Sequence, residues 1–130
     1  MLKSLKAFKG ENGSLFALNK FSDFQPKRFF YVTDVPKGDV RGHHAHLRDK
    51  QLLVCVKGRI HATLDRGNST FSEFILKEGD AVFMDTLTWG YQKYLTGNDI
   101  LLVLCSEEHD DKEYIKDYDQ FLQIIKENKE

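Results

Sequence analysis

Short runs of large apolar residues alternate with turn-forming residues along most of the chain. Gly, Asn, Asp and Pro recur between the runs at intervals typical of antiparallel strands joined by tight turns. The pattern predicts strands at 15–18, 28–33, 51–56, 59–64, 69–76, 81–84 and 100–105. A series of short strands with regular turns favours an all-β sandwich or barrel.

Two of these runs differ from the rest in having apolar residues on both faces. Positions 53–56 and 100–104 do not alternate, so we expect them to be central strands, whereas 70–76 alternates as a half-buried strand does. The C-terminal segment has a helical period instead. Its apolar residues form one stripe that predicts a helix of about three turns packed outside the β-core; they are Tyr118, Phe121, Leu122 and Ile125.

Composition and charge exclude several classes of function. The 130 residues carry 19 basic and 20 acidic side chains, a net charge of -1, so we expect no nucleic-acid partner. No apolar run is long enough to span a membrane, and we expect no secretory signal at the N-terminus. Cys55 and Cys105 lie inside apolar runs, as small buried residues do. The sequence favours a reduced chain in the cytoplasm, with a disulfide between the two as the alternative.

The segment most typical of a catalytic site is 38–51. In an extended strand, residues two apart share a face, so His44 and His46 point the same way and His43 points the other way. On the concave face of a β-barrel, two such imidazoles form a proton-transfer pair or a metal-binding pair.

The spacing around these histidines resembles the first cupin motif. Gly38 is followed by five residues, then His44 and His46, then four residues and Gln51. The motif has glutamate where this chain has Gln51, and the third histidine of the second motif falls on Gly90. Two imidazoles and a neutral amide are a poor set of ligands for a transition metal. We therefore predict no catalytic metal and assign the histidines to acid–base chemistry, since imidazole titrates near neutral pH.

The chain also resembles one particular family, the dTDP-4-keto-6-deoxyglucose 3,4-ketoisomerases of bacterial deoxysugar biosynthesis. The strings that carry the resemblance are Lys-Arg-Phe-Phe-Tyr-Val at 27–32, Arg-Gly-His-His-Ala-His at 41–46, Gln-Leu-Leu-Val from Gln51, Trp89, and 111–121. The chain departs from the family at His43, where a varied residue is usual, and at 85–86, where a proline is often found.

The resemblance implies a single cupin domain over 1–130, a jelly-roll β-barrel with a short C-terminal helix. It further implies a homodimer with exchanged or paired strands, dTDP-4-keto-6-deoxyglucose as substrate, and no cofactor. It implies that His44 is the base that removes the C3 proton, that His46 helps to carry the proton between the sugar oxygens, and that Arg41 lies near the substrate.

The remaining binding residues are candidates by their chemistry. Arg41, Tyr31 and Gln51 suit the sugar oxygens, and an arginine suits the pyrophosphate through paired hydrogen bonds; the candidates there are Arg28, Arg41 and Arg59, with Arg41 favoured. Tyr31 alternates with Phe30, so only one of the two faces the cavity. Trp89 either contacts the substrate or plugs the barrel mouth.

Three other functions remain open at this point. A dTDP-sugar 3,5-epimerase shares the fold but usually pairs one histidine with a tyrosine. A metal-dependent cupin requires a third ligand. A non-catalytic sugar-nucleotide sensor is compatible with Gln51, but it gives the two inward histidines no function. The sequence does not fix the configuration at C4 of the product.

Overall fold

The computed structural model of the protein describes residues 2–18, 21 and 23–128. Within that part, the chain forms β-strands, a single turn of 3-10 helix at Asp111–Glu113 and a C-terminal α-helix. In chain order the elements are β1 (Leu2–Ser4), β2 (Lys6–Gly10), β3 (Gly13–Ala17), β4 (Arg28–Val32), β5 (Val40–His46), β6 (Gln51–Lys57), β7 (Arg59–Asp65), β8 (Phe71–Lys77), β9 (Asp80–Met84), β10 (Trp89–Tyr94), β11 (Ile100–Cys105), β12 (Tyr114–Ile115) and α1 (Tyr118–Asn128).

Two five-stranded antiparallel sheets make up the body of the protein. One has the order β1-β9-β6-β11-β4, and the other has the order β12-β5-β10-β7-β8. Strands adjacent in sequence, such as β5 and β6, lie in different sheets, as in a jelly roll. Among the described residues, strands β2 and β3 pair only with each other, so they form a hairpin separate from both sheets.

The main core lies between the inner faces of the two sheets. Its buried side chains include Leu53 of β6 and Val103 of β11 on one side, and Ile60 of β7 on the other. A second cluster, around Leu52 and Val54, covers the outer face of β6 and packs against Phe24 and Leu102. Strands β6 and β11 are therefore central and buried on both sides, as their unbroken apolar runs predict.

The helix α1 covers part of the outer face of the other sheet. Phe121 and Ile125 are buried against Trp89 and Ala45, so the stripe predicted from the sequence is the packing face. Burying a side chain the size of Phe121 contributes roughly 2–3 kcal/mol. No helix among the described residues is long and apolar enough to cross a membrane.

The strong apolar runs predict most of the strands, within about two residues at each end. The all-β fold with its C-terminal helix is confirmed, although the two sheets face each other without closing into a complete barrel. The strands that the pattern misses are short or of mixed composition. The most consequential of them are β10, which reads Trp-Gly-Tyr-Gln-Lys-Tyr, and the two-residue β12.

Candidate active site

A bulge in β5 sets the direction of the histidines. Gly42 has φ of +105°, and a Cβ at this position would lie 2.8 Å from the carbonyl oxygen of Gly90 and 2.9 Å from the Cα of Tyr91. Pairing between β5 and β10 shifts register at this point, and His43 also adopts a positive φ, of 60°. The side chain of His43 turns outward and stacks on Tyr91, with ring centroids 4.8 Å apart. Only glycine allows this close approach, so Gly42 determines which residues of β5 after the bulge face inward.

After the bulge, β5 alternates regularly. His44 and His46 lie on the inner face, with ring centroids 4.9 Å apart and planes at 87°, as the alternation predicts. Ala45 between them is buried on the other face, beneath α1. The two imidazoles therefore form an edge-to-face pair rather than two separate groups.

Both histidines are held in the neutral form. Burial lowers the pKa of His44 below its ordinary value. Burial, together with the neighbouring His44, lowers the pKa of His46 to about 3. His46 is 1% exposed, and neither of its ring nitrogens has a hydrogen-bond partner among the described residues. A neutral imidazole is the form that can accept a proton, so the site is prepared for base chemistry.

Tyr114 completes this aromatic cluster, and the sequence reasoning did not select it. In the pairing of β12 with β5, Tyr114 lies opposite His46. Its ring centroid is 4.6 Å from that of His46 and 5.0 Å from that of His44. The sequence signal for Tyr114 is its place within the family-like string at 111–121.

Glu113 anchors the short strand that carries Tyr114. Its Oε1 accepts hydrogen bonds from the backbone N–H groups of Arg48, at 2.8 Å, and Asp49, at 3.1 Å. Its Oε2 accepts a bond from the Arg48 guanidinium at 2.8 Å. Burial opposes ionisation of Glu113, but these bonds outweigh it and lower the pKa of the carboxyl. The loop after β5 and the strand β12 are thus tied together through one charged group.

A cavity of about 90 Å³ opens between the sheets beside His44. Its walls are largely apolar, with Phe30 of β4 facing inward. The polar groups that reach it come from a small set of side chains, which are Arg41, His44, Gln51, Gln92 and Tyr94. Sites for whole drug-sized ligands usually measure 300–1,000 Å³. The cavity therefore has room for part of a sugar ring, while a nucleotide must lie outside it.

Gln51 and Arg28 belong to a buried network next to this cavity. The amide nitrogen of Gln51 donates to Asp49 Oδ2 at 3.0 Å. An Arg28 guanidinium nitrogen lies 3.7 Å from the same carboxylate oxygen, and another lies 2.9 Å from His109 Nδ1. Arg28 is therefore engaged within the protein, whereas Arg41 is exposed at the rim of the cavity.

The structure does not bring Tyr31 and Trp89 to the cavity. Tyr31 is 66% exposed on the outer face of β4, because the alternation places Phe30 inside. Trp89 is 6% exposed and lies under α1, with its ring 5.2 Å from Tyr118 and 5.8 Å from Phe121. Its large ring serves the packing of the helix on the sheet.

The two remaining histidines lie outside β5, and the ring of His109 is 5.7 Å from that of Tyr114. His61 lies 3.3 Å from Glu73 on the neighbouring strand. His109 lies in an exposed loop beside Asp111, at 3.1 Å, and contacts Arg28. Neither adds a third imidazole to His44 and His46.

The surroundings of the pair do not suit a cupin metal. Gly90 occupies the position of the third histidine, and a Cβ there would lie 2.6 Å from the sulfur of Met84. Gln51 supplies an amide where the motif has a carboxylate, and that amide is already bonded to Asp49. Among the described residues, no group of three or more His, Cys, Asp or Glu side chains is arranged to hold a metal ion.

A jelly-roll fold with a neutral His44 at its cavity, and His46 packed behind it, is the arrangement of a cupin-like enzyme whose imidazoles are able to transfer protons. The sequence matches the family FdtA, described as WxcM-like, C-terminal, over residues 1–126. The chain belongs to this family, whose relatives described below are sugar-nucleotide 3,4-ketoisomerases.

Three of these relatives are informative. The chain is 31% identical over 115 residues to the TDP-4-oxo-6-deoxy-alpha-D-glucose-3,4-oxoisomerase of Aneurinibacillus thermoaerophilus, covering 87% of this chain and 83% of that protein. It superposes with a TM-score of 0.88 on a 3,4-ketoisomerase from Helicobacter canadensis, at 29% identity over 97% of this chain and 96% of that one.

The third relative is the 3,4-ketoisomerase QdtA from Thermoanaerobacterium thermosaccharolyticum, in the form of a histidine-to-asparagine mutant in complex with TDP-4-keto-6-deoxyglucose. That structure superposes with a TM-score of 0.88, at 27% identity over 98% of this chain and 94% of that one. These relatives support the isomerase prediction over the epimerase, metal-dependent and non-catalytic alternatives.

Proposed function

We propose that the protein converts dTDP-4-keto-6-deoxyglucose into the corresponding 3-keto sugar nucleotide through an enediol intermediate, with His44 as the base. The observation that carries this proposal is the neutral His44, backed by His46, at the edge of a cavity with room for part of a sugar ring. The complex of the related QdtA with TDP-4-keto-6-deoxyglucose supports the choice of substrate.

The chemistry needs only proton transfers. The carbonyl at C4 acidifies the hydrogen at C3, and neutral His44 accepts that proton while the electron pair forms the C3–C4 double bond and leaves negative charge on the C4 oxygen. Protonation of that oxygen gives the enediol. Loss of the C3 hydroxyl proton and return of a proton to C4 then give the C3 ketone. No atom is lost and no electron is supplied from outside.

We assign His46 to a supporting role as a neutral imidazole. With a pKa of about 3 it carries no proton to spare in the free enzyme at neutral pH. In a neutral imidazole one ring nitrogen carries a proton and the other can accept one, so His46 can pass a proton onward without holding charge. Its contact with His44 is the route by which it acts on the reacting sugar.

The binding residues are proposed from their position. Arg41 at the cavity rim is the candidate for the pyrophosphate, since its guanidinium is exposed. Gln51 faces the cavity and suits a sugar oxygen. Arg28 supports the site by holding Asp49, which in turn orients Gln51.

We further propose that the protein is a homodimer. In the part of the chain that the structure describes, the β2–β3 hairpin pairs with neither sheet, and an isolated hairpin is marginally stable in water. It exposes Phe8 and Leu15, and the free edge strand β4 exposes Phe29 and Tyr31. A second copy that pairs with these elements would bury the exposed apolar side chains. Tyr31 would then lie in the dimer interface.

Cys55 and Cys105 are buried and form no disulfide, which supports a location in the reducing cytoplasm. We propose that the enzyme acts there in the biosynthesis of a deoxyaminosugar for a surface glycan.

The function is tested by supplying dTDP-4-keto-6-deoxyglucose to the purified protein and identifying the product by NMR. A 3-keto sugar nucleotide supports the proposal, and recovery of unchanged substrate contradicts it.

The dimer is tested by light scattering of Leu15→Asp, with Phe71→Asp as the control, because Phe71 is similarly exposed on β8, far along the chain from the hairpin. The proposal expects dissociation only in Leu15→Asp; a monomeric wild-type protein would refute it.

A further inference from the structure

Tyr94 carries a buried hydroxyl that the proposed mechanism does not use. It is the last residue of β10, its side chain is 0% exposed, and its hydroxyl has no hydrogen-bond partner among the described residues. Leaving a buried hydroxyl without a partner is unfavourable, so such a group in a folded protein calls for an explanation. Burial also raises the pKa of Tyr94 to about 12, so the phenol stays protonated and can donate.

The position of Tyr94 points to a ligand. Its side chain lines the same cavity as His44, together with Arg41, Gln51 and Gln92. On the opposite sheet the cavity is bounded by apolar side chains such as Phe30 and by Gln51, whose amide nitrogen already donates to Asp49. The phenol therefore adds a buried donor to the wall of the cavity that His44 borders.

The backbone of Tyr94 is firmly held. Its N–H donates to the carbonyl oxygen of Asp39 at 3.0 Å, and its own carbonyl oxygen accepts from the N–H of Gly38 at 2.7 Å. The ring is packed in the main core beside residues such as Ile60. Because the ring cannot easily turn away, the hydroxyl is preorganised before any substrate enters.

We propose that Tyr94 is a substrate-contacting residue whose phenol donates a hydrogen bond to the C4 oxygen of the keto sugar. This inference rests on the proposed function. Negative charge grows on that oxygen as His44 takes the C3 proton, and a fixed donor in a water-poor cavity stabilises such charge more than water does. The tyrosine keeps its own proton throughout, so it acts through the hydrogen bond alone.

The test is Tyr94→Phe, which removes the hydroxyl and keeps the ring. Tyr91→Phe is the matched control, because Tyr91 lies on the same strand but stacks outward on His43. We expect Tyr94→Phe to unfold at the same or a higher temperature than the wild type, because an unsatisfied group has been removed. We expect its kcat to fall by about 100-fold or more, the loss typical of an oxyanion donor.

Two further readouts separate this role from a structural one. Exchange of the C3 hydrogen in deuterium oxide should slow together with product formation, because the donor acts on the first step. The second readout is the rise in Tm that the keto sugar nucleotide causes beyond the rise caused by TDP alone. This difference should be smaller in Tyr94→Phe than in the wild type and in Tyr91→Phe.

A kcat within twofold of the wild type would overturn the proposal, and so would an undiminished sugar-dependent rise in Tm. If the wild-type protein itself gives no turnover, the proposed function fails, and the shift in Tm alone then decides whether Tyr94 contacts the sugar.

Discussion

The ring of Tyr114 packs against the ring of His46, with centroids 4.6 Å apart, and the two residues face each other across β12 and β5. Tyr114 also contacts His44, so three rings form one cluster at the edge of the sheet. Because Tyr114 covers His46, the histidine is desolvated and stays neutral. The electrostatic state of the site therefore depends on a two-residue strand far along the chain from the histidines.

Replacing the proposed base should abolish turnover without loss of the fold. In His44→Asn we expect kcat to fall by roughly 10²–10⁴-fold, the usual contribution of a general base. Affinity for TDP should stay within a few-fold of the wild-type value, since the nucleotide lies outside the small cavity. The control is His43→Asn, because His43 points outward and asparagine tolerates its positive φ. Wild-type turnover in His44→Asn would exclude it as the base.

The stability of the protein should depend on pH through His46. Its pKa is about 3 in the folded chain and ordinarily 6.5, so between these values the unfolded chain binds a proton that the folded chain does not. Stability is therefore unaffected by His46 above about pH 6.5 and decreases as the pH falls from there toward about 3.

Thermal unfolding at a series of pH values measures this effect. In His46→Gln the dependence of Tm on pH over that window should flatten, whatever the effect on Tm at pH 8. An unchanged slope would show that His46 does not titrate in this way.

Glu113 should matter for activity although it does not touch the cavity. Glu113→Gln weakens the bonds to Arg48 and Asp49, and we expect a loss of roughly 1–3 kcal/mol of stability, typical of hydrogen bonds to a charged group. Release of β12 should also expose His46 and lower kcat. Glu108→Gln is the control, since Glu108 is exposed in the adjacent loop. Equal Tm and kcat in the two variants would contradict the claim that Glu113 supports stability and activity by holding β12.

Much of the architecture follows from the sequence, because the two central strands are apolar on both faces and the C-terminal stripe has a helical period. The pairing of His44 with His46 also follows, since it needs only the period of an extended strand. The inward position of Phe30 does not, because alternation tells which residues share a face but not which face points inward. The place of Trp89 under α1 does not follow either, because nothing local shows that a helix packs over it.

Tyr94 and Tyr114 were missed for a related reason. Tyr94 closes a strand of mixed composition, and its place at the cavity depends on the pairing of β10 with β5 and β7. Tyr114 reaches the histidines only through the pairing of β12 with β5, in which it lies opposite His46, a residue 68 positions earlier in the chain. Contacts of such range are set by tertiary structure, which a local pattern does not record.

Turnover should not require a divalent metal. Extensive dialysis against a strong chelator should leave kcat unchanged, because two imidazoles and a committed amide offer too few ligands. Gly90→His should not create a tight site by itself, since the new side chain meets the sulfur of Met84. Loss of activity on chelation, restored by iron, manganese or zinc, would contradict the mechanism.

The most direct test of the central claim is the isotope pattern of the product formed in deuterium oxide. If His44 removes the C3 proton and an enediol is protonated at C4, NMR will show a 3-keto sugar nucleotide with solvent deuterium at C4 in at least part of the product. The fraction labelled will increase under conditions that let the protonated base exchange. A product that carries the original C3 hydrogen at C4 under every condition would contradict the account, as would a 4-keto product labelled at C3 and C5.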